Sequence, residues 1–211
     1  MPVSKAADRA GIDVQAVLDA MEGVAYAVDP AGQLLGCGRP NWDRFLARNQ
    51  GSAWLGAEQI VGRNLFEFIH GTEVATRYRS WMRSLAAANL GPLTFDFRCD
   101  APGERREMRM AITRLERGGR LFGFLFQATT LTAAARPPLN VYDSEAVLAA
   151  RVREAALPLV RTCSFCQRLG WPPHGEPEAW VEAEDYYRLG GASQVRLSHG
   201  ICPGCAEALP R

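Results

Sequence analysis

Two pairs of cysteines, each pair separated by two residues, stand in the last third of the sequence. They are Cys163-Ser164-Phe165-Cys166 and Cys202-Pro203-Gly204-Cys205. A turn of that size holds two thiolates close enough to share one ion and aims backbone N–H groups at the sulfurs. Two such turns supply the four ligands of a tetrahedral zinc site. Four sulfurs close the coordination shell, so zinc held this way is structural and does not activate water. Thirty-five residues lie between Cys166 and Cys202, and the chain between them must fold back to bring the pairs together. Zinc on Cys163, Cys166, Cys202 and Cys205 is the favoured reading. A redox pair or thiol switch, a disulfide, and four buried free thiols are the others that the spacing leaves open. His199, three residues before Cys202, has three roles open to it. It replaces one cysteine on the metal, hydrogen-bonds a cysteine sulfur or a backbone carbonyl, or is an exposed turn residue.

No catalytic constellation accompanies the cysteines. The sequence has no phosphate-binding loop, no nucleophile elbow and no Glu-flanked histidine pair, and its histidines are His70, His174 and His199. The expectation is a protein that is not an enzyme. The net charge of +1 gives no overall attraction to nucleic acid or to an anionic membrane. A helix-turn-helix with a basic recognition face is also missing, which argues against nucleic acid as a partner. No apolar run approaches the ~18 to 20 residues of a spanning helix, and the first nine residues lack the apolar core of a signal peptide. These features predict a cytoplasmic protein without a membrane anchor, in a reducing compartment where paired cysteines are read as metal ligands before disulfides.

The rest of the chain must position this centre. Its 211 residues, 47% of them apolar and 22% charged, are ordinary for soluble globular structure and suffice for one large or two small domains. Residues 8–22 read as a helix capped by Asp13, with Val14, Val17, Leu18 and Met21 at helical spacing. Such a narrow stripe packs on its own domain or on a second copy. Val24 to Asp29 and Gln33 to Cys37 read as strands around the turn Pro30-Ala31-Gly32. Helical pieces follow at Asn41 to Arg48 and near Gly56 to Gly62. A longer helix from Thr72 to Ala88 buries Tyr78, Trp81, Met82 and Leu85. Three strands then alternate: Leu93 to Cys99, Arg106 to Leu115, and Leu121 to Thr129 with Phe122, Phe124 and Phe126 on one face. Arg105, Arg106, Arg109, Arg114, Arg117 and Arg120 read as a solvated hairpin face. The aromatics, Tyr26 and Trp42 among them, pack a core or line a pocket between sheet and helices.

The order helix, two strands, short helices, long helix, three strands fits an α+β fold, a five-stranded antiparallel sheet with helices on one face. Residues 13–131 resemble the PAS fold. The likeness rests on Gly23-Val24-Ala25-Tyr26-Ala27-Val28-Asp29-Pro30-Ala31-Gly32 and on Ile60-Val61-Gly62-Arg63-Asn64-Leu65-Phe66-Glu67-Phe68-Ile69-His70. Residues 158–209, with Trp180, Glu182, Tyr186 and the block Ser198-His199-Gly200-Ile201-Cys202-Pro203-Gly204-Cys205, resemble a short C-terminal module that follows PAS or receiver domains in bacterial signalling proteins. This chain departs from that module at Gln167-Arg168-Leu169-Gly170-Trp171-Pro172-Pro173, where a charged run is usual.

The expected layout is an N-terminal helix at 1–22, a PAS domain at 23–131, a linker and connector helix at 132–157 and a zinc-binding module at 158–211. The resemblance implies a sensory protein whose PAS domain binds a small molecule or dimerises, and whose partner is another signalling protein. Haem on His70 and flavin are the disfavoured cofactor readings. His70 stands where a local turn role is usual, and Leu65 stands where the light-sensing PAS subclass carries its cysteine. The alternative functions are a zinc-dependent nucleic-acid-binding transcriptional regulator and a thiol-based redox switch.

Overall fold

The computed structural model describes residues 13–51, 53–87, 91–143, 157–173 and 179–210. The expected helical residues before Asp13, the connector helix from Ser144 and His174 lie outside these. Asp13 caps helix α1 (Val14–Ala20), its carboxylate accepting the Gln15 N–H at 2.9 Å, a contact worth about 1 kcal/mol. Only Leu18 of α1 is buried, and Val14 and Val17 stay exposed. The strands β1 (Val24–Val28) and β2 (Leu34–Cys37) form the first hairpin. Asp29 shapes its turn by accepting the Ala31 and Gln33 N–H groups at 2.9 and 2.8 Å.

Helix α2 (Arg39–Arg48) begins with Pro40 in its first turn and leads to the one-turn helix α3 (Ala57–Ile60). The Trp42 indole N–H donates to the Leu55 carbonyl at 2.7 Å and ties α2 to the loop that follows it. A capping box between Asn64 and Glu67 closes the next turn. Helix α4 (Thr72–Ala87) then buries Val74, Ala75, Trp81, Met82 and Leu85 against the sheet.

The sheet is completed by β3 (Leu93–Arg98), β4 (Glu104–Arg117) and β5 (Arg120–Ala135), in the order β2-β1-β5-β4-β3 with every neighbour antiparallel. This is the PAS-like α+β architecture that the element order implied. Cross-strand partners Tyr26 and Phe126, Ile112 and Phe126, and Phe95 and Met110 stack its inner face. Gly118 and Gly119, at φ of 58° and 77°, turn β4 into β5.

Three details depart from the sequence reading. β5 runs to Ala135, four residues into the stretch read as linker, because Glu104 to Glu107 continue the ladder with it. Phe122 does not share the buried face of Phe124 and Phe126. The register shifts between Leu115 and Glu116, Phe122 is the extra residue at that bulge, and it is 44% exposed. Arg106 is not on a solvated hairpin. It is buried, its guanidinium lies 4.8 Å from the Phe45 ring centre, and it donates to the Cys99 carbonyl at 2.8 Å and to Asn49 Oδ1.

The C-terminal part forms a second sheet of β6 (Leu159–Cys163), β7 (Leu169–Trp171), β8 (Ala179–Val181) and β9 (Arg196–Gly200), in the order β8-β7-β6-β9 with β6 and β9 parallel. Helix α5 (Ala183–Arg188) crosses it and α6 (Pro203–Ala208) follows it. Tyr186 and Val160 centre its own small core. The run Leu169-Gly170-Trp171, where this chain departs from the module it resembles, is strand β7, and the Trp171–Pro172 peptide is cis.

The two sheets share a core. Cys163, Phe165, Cys202 and Leu209 are buried in the same cluster as Tyr26, Trp81, Phe95 and Phe126. Phe165 lies 5.7 Å from the Phe95 ring and 5.9 Å from Trp81, edge to face in both cases, and 6.3 Å from Tyr78, stacked. Backbone contacts fix the docking. Arg98 N–H donates to the Phe165 carbonyl at 2.6 Å, and the Trp81 indole N–H to the Pro210 carbonyl at 2.8 Å. Gly71, at φ +90°, lets α4 approach β9 so closely that a Cβ there would overlap the His199 carbonyl.

Candidate metal centre and adjoining cavity

Folding brings all four knuckle sulfurs to one point. Cys163 ends β6 and Cys166 closes the turn into β7, while Cys202 caps α6 and Cys205 sits in its first turn. Because β9 lies parallel beside β6, with Thr162 opposite His199 and Cys163 opposite Gly200, the second knuckle emerges next to the first. The four Sγ atoms lie within 4.8 Å of one another, and Cys166 and Cys202 are 3.6 Å apart. A tetrahedron with Zn–S bonds of ~2.3 Å has an edge of about 3.8 Å, so the cluster has the dimensions of such a site.

The surroundings favour a thiolate at Cys163. The Cys202 N–H donates to Cys163 Sγ and the Cys205 N–H to Cys202 Sγ, both at 3.4 Å. Hydrogen bonds from Cys166 and Cys205, followed by backbone N–H groups, hold the Cys163 thiol far below its ordinary range. Its thiolate in turn pushes Cys166 up to about 12 and Cys205 further still. One negative charge thus forms easily and opposes the rest, and a divalent cation at the centre removes that opposition. The Arg168 guanidinium faces Cys166 and Cys202 as well as Glu182 and offsets part of the remaining charge. His199 lies in β9, half-buried, outside the sulfur cluster, with its ring 5.5 Å from that of His70.

A buried ionic network joins the knuckle to the first sheet. Asp100 receives Arg98, Arg136 at 2.9 Å and the Arg106 N–H at 3.1 Å. Arg98 also reaches Glu182 at 2.5 Å, and Glu182 accepts Arg168 at 2.9 Å. Burial raises the Glu182 carboxyl, but the hydrogen bonds from Arg168 and Arg98 outweigh it and hold the group below the usual carboxylate range. Alternation and spacing gave no signal for this network. Arg98 meets Glu182 across 84 positions of sequence, a pairing that no local pattern carries.

Beside the centre lies a cavity of about 540 Å³. Tyr26, Trp42, Phe97 and Met110 form its apolar side on α2 and the sheet. Tyr142, Gln167, Leu197 and His199 form the opposite side. Gln167 follows Cys166 directly and sits in the left-handed region at φ 59°. Its backbone closes the knuckle by donating to the Cys163 carbonyl at 2.9 Å, and its side-chain oxygen accepts the Asp100 N–H at 2.8 Å. The Tyr142 hydroxyl donates to the Gln167 carbonyl at 2.9 Å. His70 is exposed and does not line the cavity. Among the described residues no helix is long and apolar enough to cross a membrane.

No family model matches the chain, and no curated protein does. Solved structures, PAS domains among them, are similar to part of it. The PAS domain of BvgS from Bordetella pertussis is 17% identical, with a TM-score of 0.44 over 59% of this chain and 88% of that one. The PAS domain of an HTR-like protein from Haloarcula marismortui is 14% identical, with a TM-score of 0.39 over 61% of this chain and 97% of that one. VqmA of Vibrio cholerae, described as a dimer with a target DNA, is 16% identical, with a TM-score of 0.42 over 56% of this chain and 49% of that one.

Proposed function

We propose that this chain is a cytoplasmic signalling protein. Its PAS-type lobe holds a small molecule, and Cys163, Cys166, Cys202 and Cys205 hold one structural zinc ion. The observation that carries this reading is the shared wall: residues of the four-cysteine lobe complete the cavity of the sensory lobe. Zinc would cross-link the two knuckles and fix β6, β9 and α6 against α4. With four sulfurs it has no open position, so its contribution is to stability and shape and not to bond breaking. The output passes to a partner signalling protein through a change in the packing of the two lobes. Helix α1, with Val14 72% and Val17 50% exposed, is the surface on which a second copy would pair to give a homodimer.

Metal analysis together with an absorption spectrum of the purified protein tests this reading. It predicts one zinc per chain, no haem or flavin bands, and a co-purifying or titratable small molecule detected by native mass spectrometry. A haem or flavin spectrum, or a chain without metal, would overturn it.

A further inference from the structure

The cavity combines apolar walls with two polar groups that have nothing to bind. Tyr26 is 8% exposed, lines the cavity, and its hydroxyl makes no hydrogen bond among the described residues. Burial pushes its pKa well above the ordinary range, so it stays a phenol and a donor. Gln167 spends its side-chain oxygen on the Asp100 N–H, which leaves the amide NH₂ as a second donor on the opposite wall. Two carboxylates line the cavity: Asp100 is held by Arg98 and Arg136, and Asp143 also has an interaction within the chain. Two spare donors in an apolar chamber of about 540 Å³ suit an uncharged molecule that presents a hydrogen-bond acceptor. Desolvation disfavours an ionised one.

We propose that Gln167 is a specificity-determining residue for a neutral, apolar, acceptor-bearing ligand, and that it serves this role because metal binding at Cys166 fixes its backbone. This rests on the reading of the cavity as a ligand site. Gln167 stands between Cys166 and Arg168 in a left-handed conformation that few non-glycine residues adopt without being held there. The metal centre also sets the far wall. His199 and Leu197 lie on β9, which leads into Cys202. The ligand and the metal therefore stabilise the same arrangement of residues 165–168. Each must tighten the other by the same factor.

The test uses the zinc-loaded full chain and prodan, an uncharged naphthalene ketone whose fluorescence reports apolar surroundings, with 2-(dimethylamino)naphthalene as the analogue lacking the acceptor. Prodan is expected to bind saturably to the wild type. It is also expected to lower zinc release at equilibrium, raising the zinc affinity measured in competition with a chromogenic chelator by 5-fold or more, within the range of about 5- to 150-fold usual for coupled sites. Gln167→Gly suits the left-handed backbone, keeps the knuckle and its zinc, and removes only the side chain. It is expected to weaken prodan about 10-fold, to leave the analogue unchanged, and to abolish the effect on zinc release. A Gln167→Gly protein that holds its zinc and binds prodan as the wild type does would overturn the assignment to Gln167. Prodan binding with no effect on zinc release would overturn the coupling while leaving the cavity as a ligand site. No saturable binding to the wild type would overturn the ligand reading itself, and this inference with it.

Discussion

Phe165→Ala is the substitution that best separates one shared core from two lobes joined by a tether. Phe165 is one of the two residues between the cysteines of the first knuckle, yet it is 2% exposed because it inserts among Tyr78, Trp81 and Phe95 of the first lobe. Truncating a buried Phe to Ala costs about 3 to 5 kcal/mol. Its three aromatic neighbours place it toward the upper end, since such pairs add about 0.5 to 1.5 kcal/mol beyond burial. A loss of about 4 kcal/mol is a large share of a total stability of roughly 5 to 15 kcal/mol. For a chain of this size it lowers Tm by about 8 to 16 °C. The assay is urea unfolding at fixed free zinc, followed in parallel by tryptophan fluorescence and by zinc release. Wild type and variant are expected to show coincident transitions by the two probes, with the variant's midpoint well below that of the wild type. A loss under about 1 kcal/mol, or zinc leaving in a separate transition from the fluorescence change, would refute the shared core.

The other predictions concern the ionic network, the close approach, and the centre itself. Asp100→Ala removes the carboxylate that Arg98 and Arg136 share, leaving Arg98 only the Glu182 carboxylate and Arg136 only that of Glu184, and is expected to cost about 3 kcal/mol in the same urea experiment. Glu182 has a folded-state pKa below its ordinary 4.5, so its contribution is present above that value and is lost as pH falls through the lowered one. Melting temperature should therefore drop below about pH 4.5, and the part of that drop due to Glu182 should be absent in Glu182→Gln. Gly71→Ala places a Cβ against the His199 carbonyl at a left-handed position, and about 3 kcal/mol of stability is expected to go, read by thermal melting. Mild peroxide should oxidise the thiols of the native, zinc-loaded protein far more slowly than those of the urea-unfolded chain, because Cys163 and Cys202 are buried. Equal rates would favour the redox-switch alternative.

The four cysteines were legible from spacing because ligand geometry is local within each knuckle, and so were the strands, where period-two alternation marks Phe95, Phe97, Met108, Met110 and Ile112. The docking of the knuckle was not. Phe165 reads as a loop residue, and nothing within several positions of it says that Trp81 and Phe95 will surround it. Tertiary packing across 70 to 84 residues leaves no periodic trace in either partner. Arg106 was misread for the same reason, since its burial depends on Phe45 and Asn49 from α2 and the residue after it. The bulge that exposes Phe122 is a register effect between two strands, and a single strand does not carry it. Gln167 carried no metal or catalytic signature. The role proposed for it rests on a positive φ and on its place in the cavity lining.

Zinc K-edge absorption of the purified protein addresses the central claim most directly. Four sulfurs at ~2.3 Å around one zinc per chain are the expected result. A nitrogen or oxygen among the ligands, or sulfurs in disulfide linkage with no zinc bound, would contradict the convergence of Cys163, Cys166, Cys202 and Cys205 on one ion.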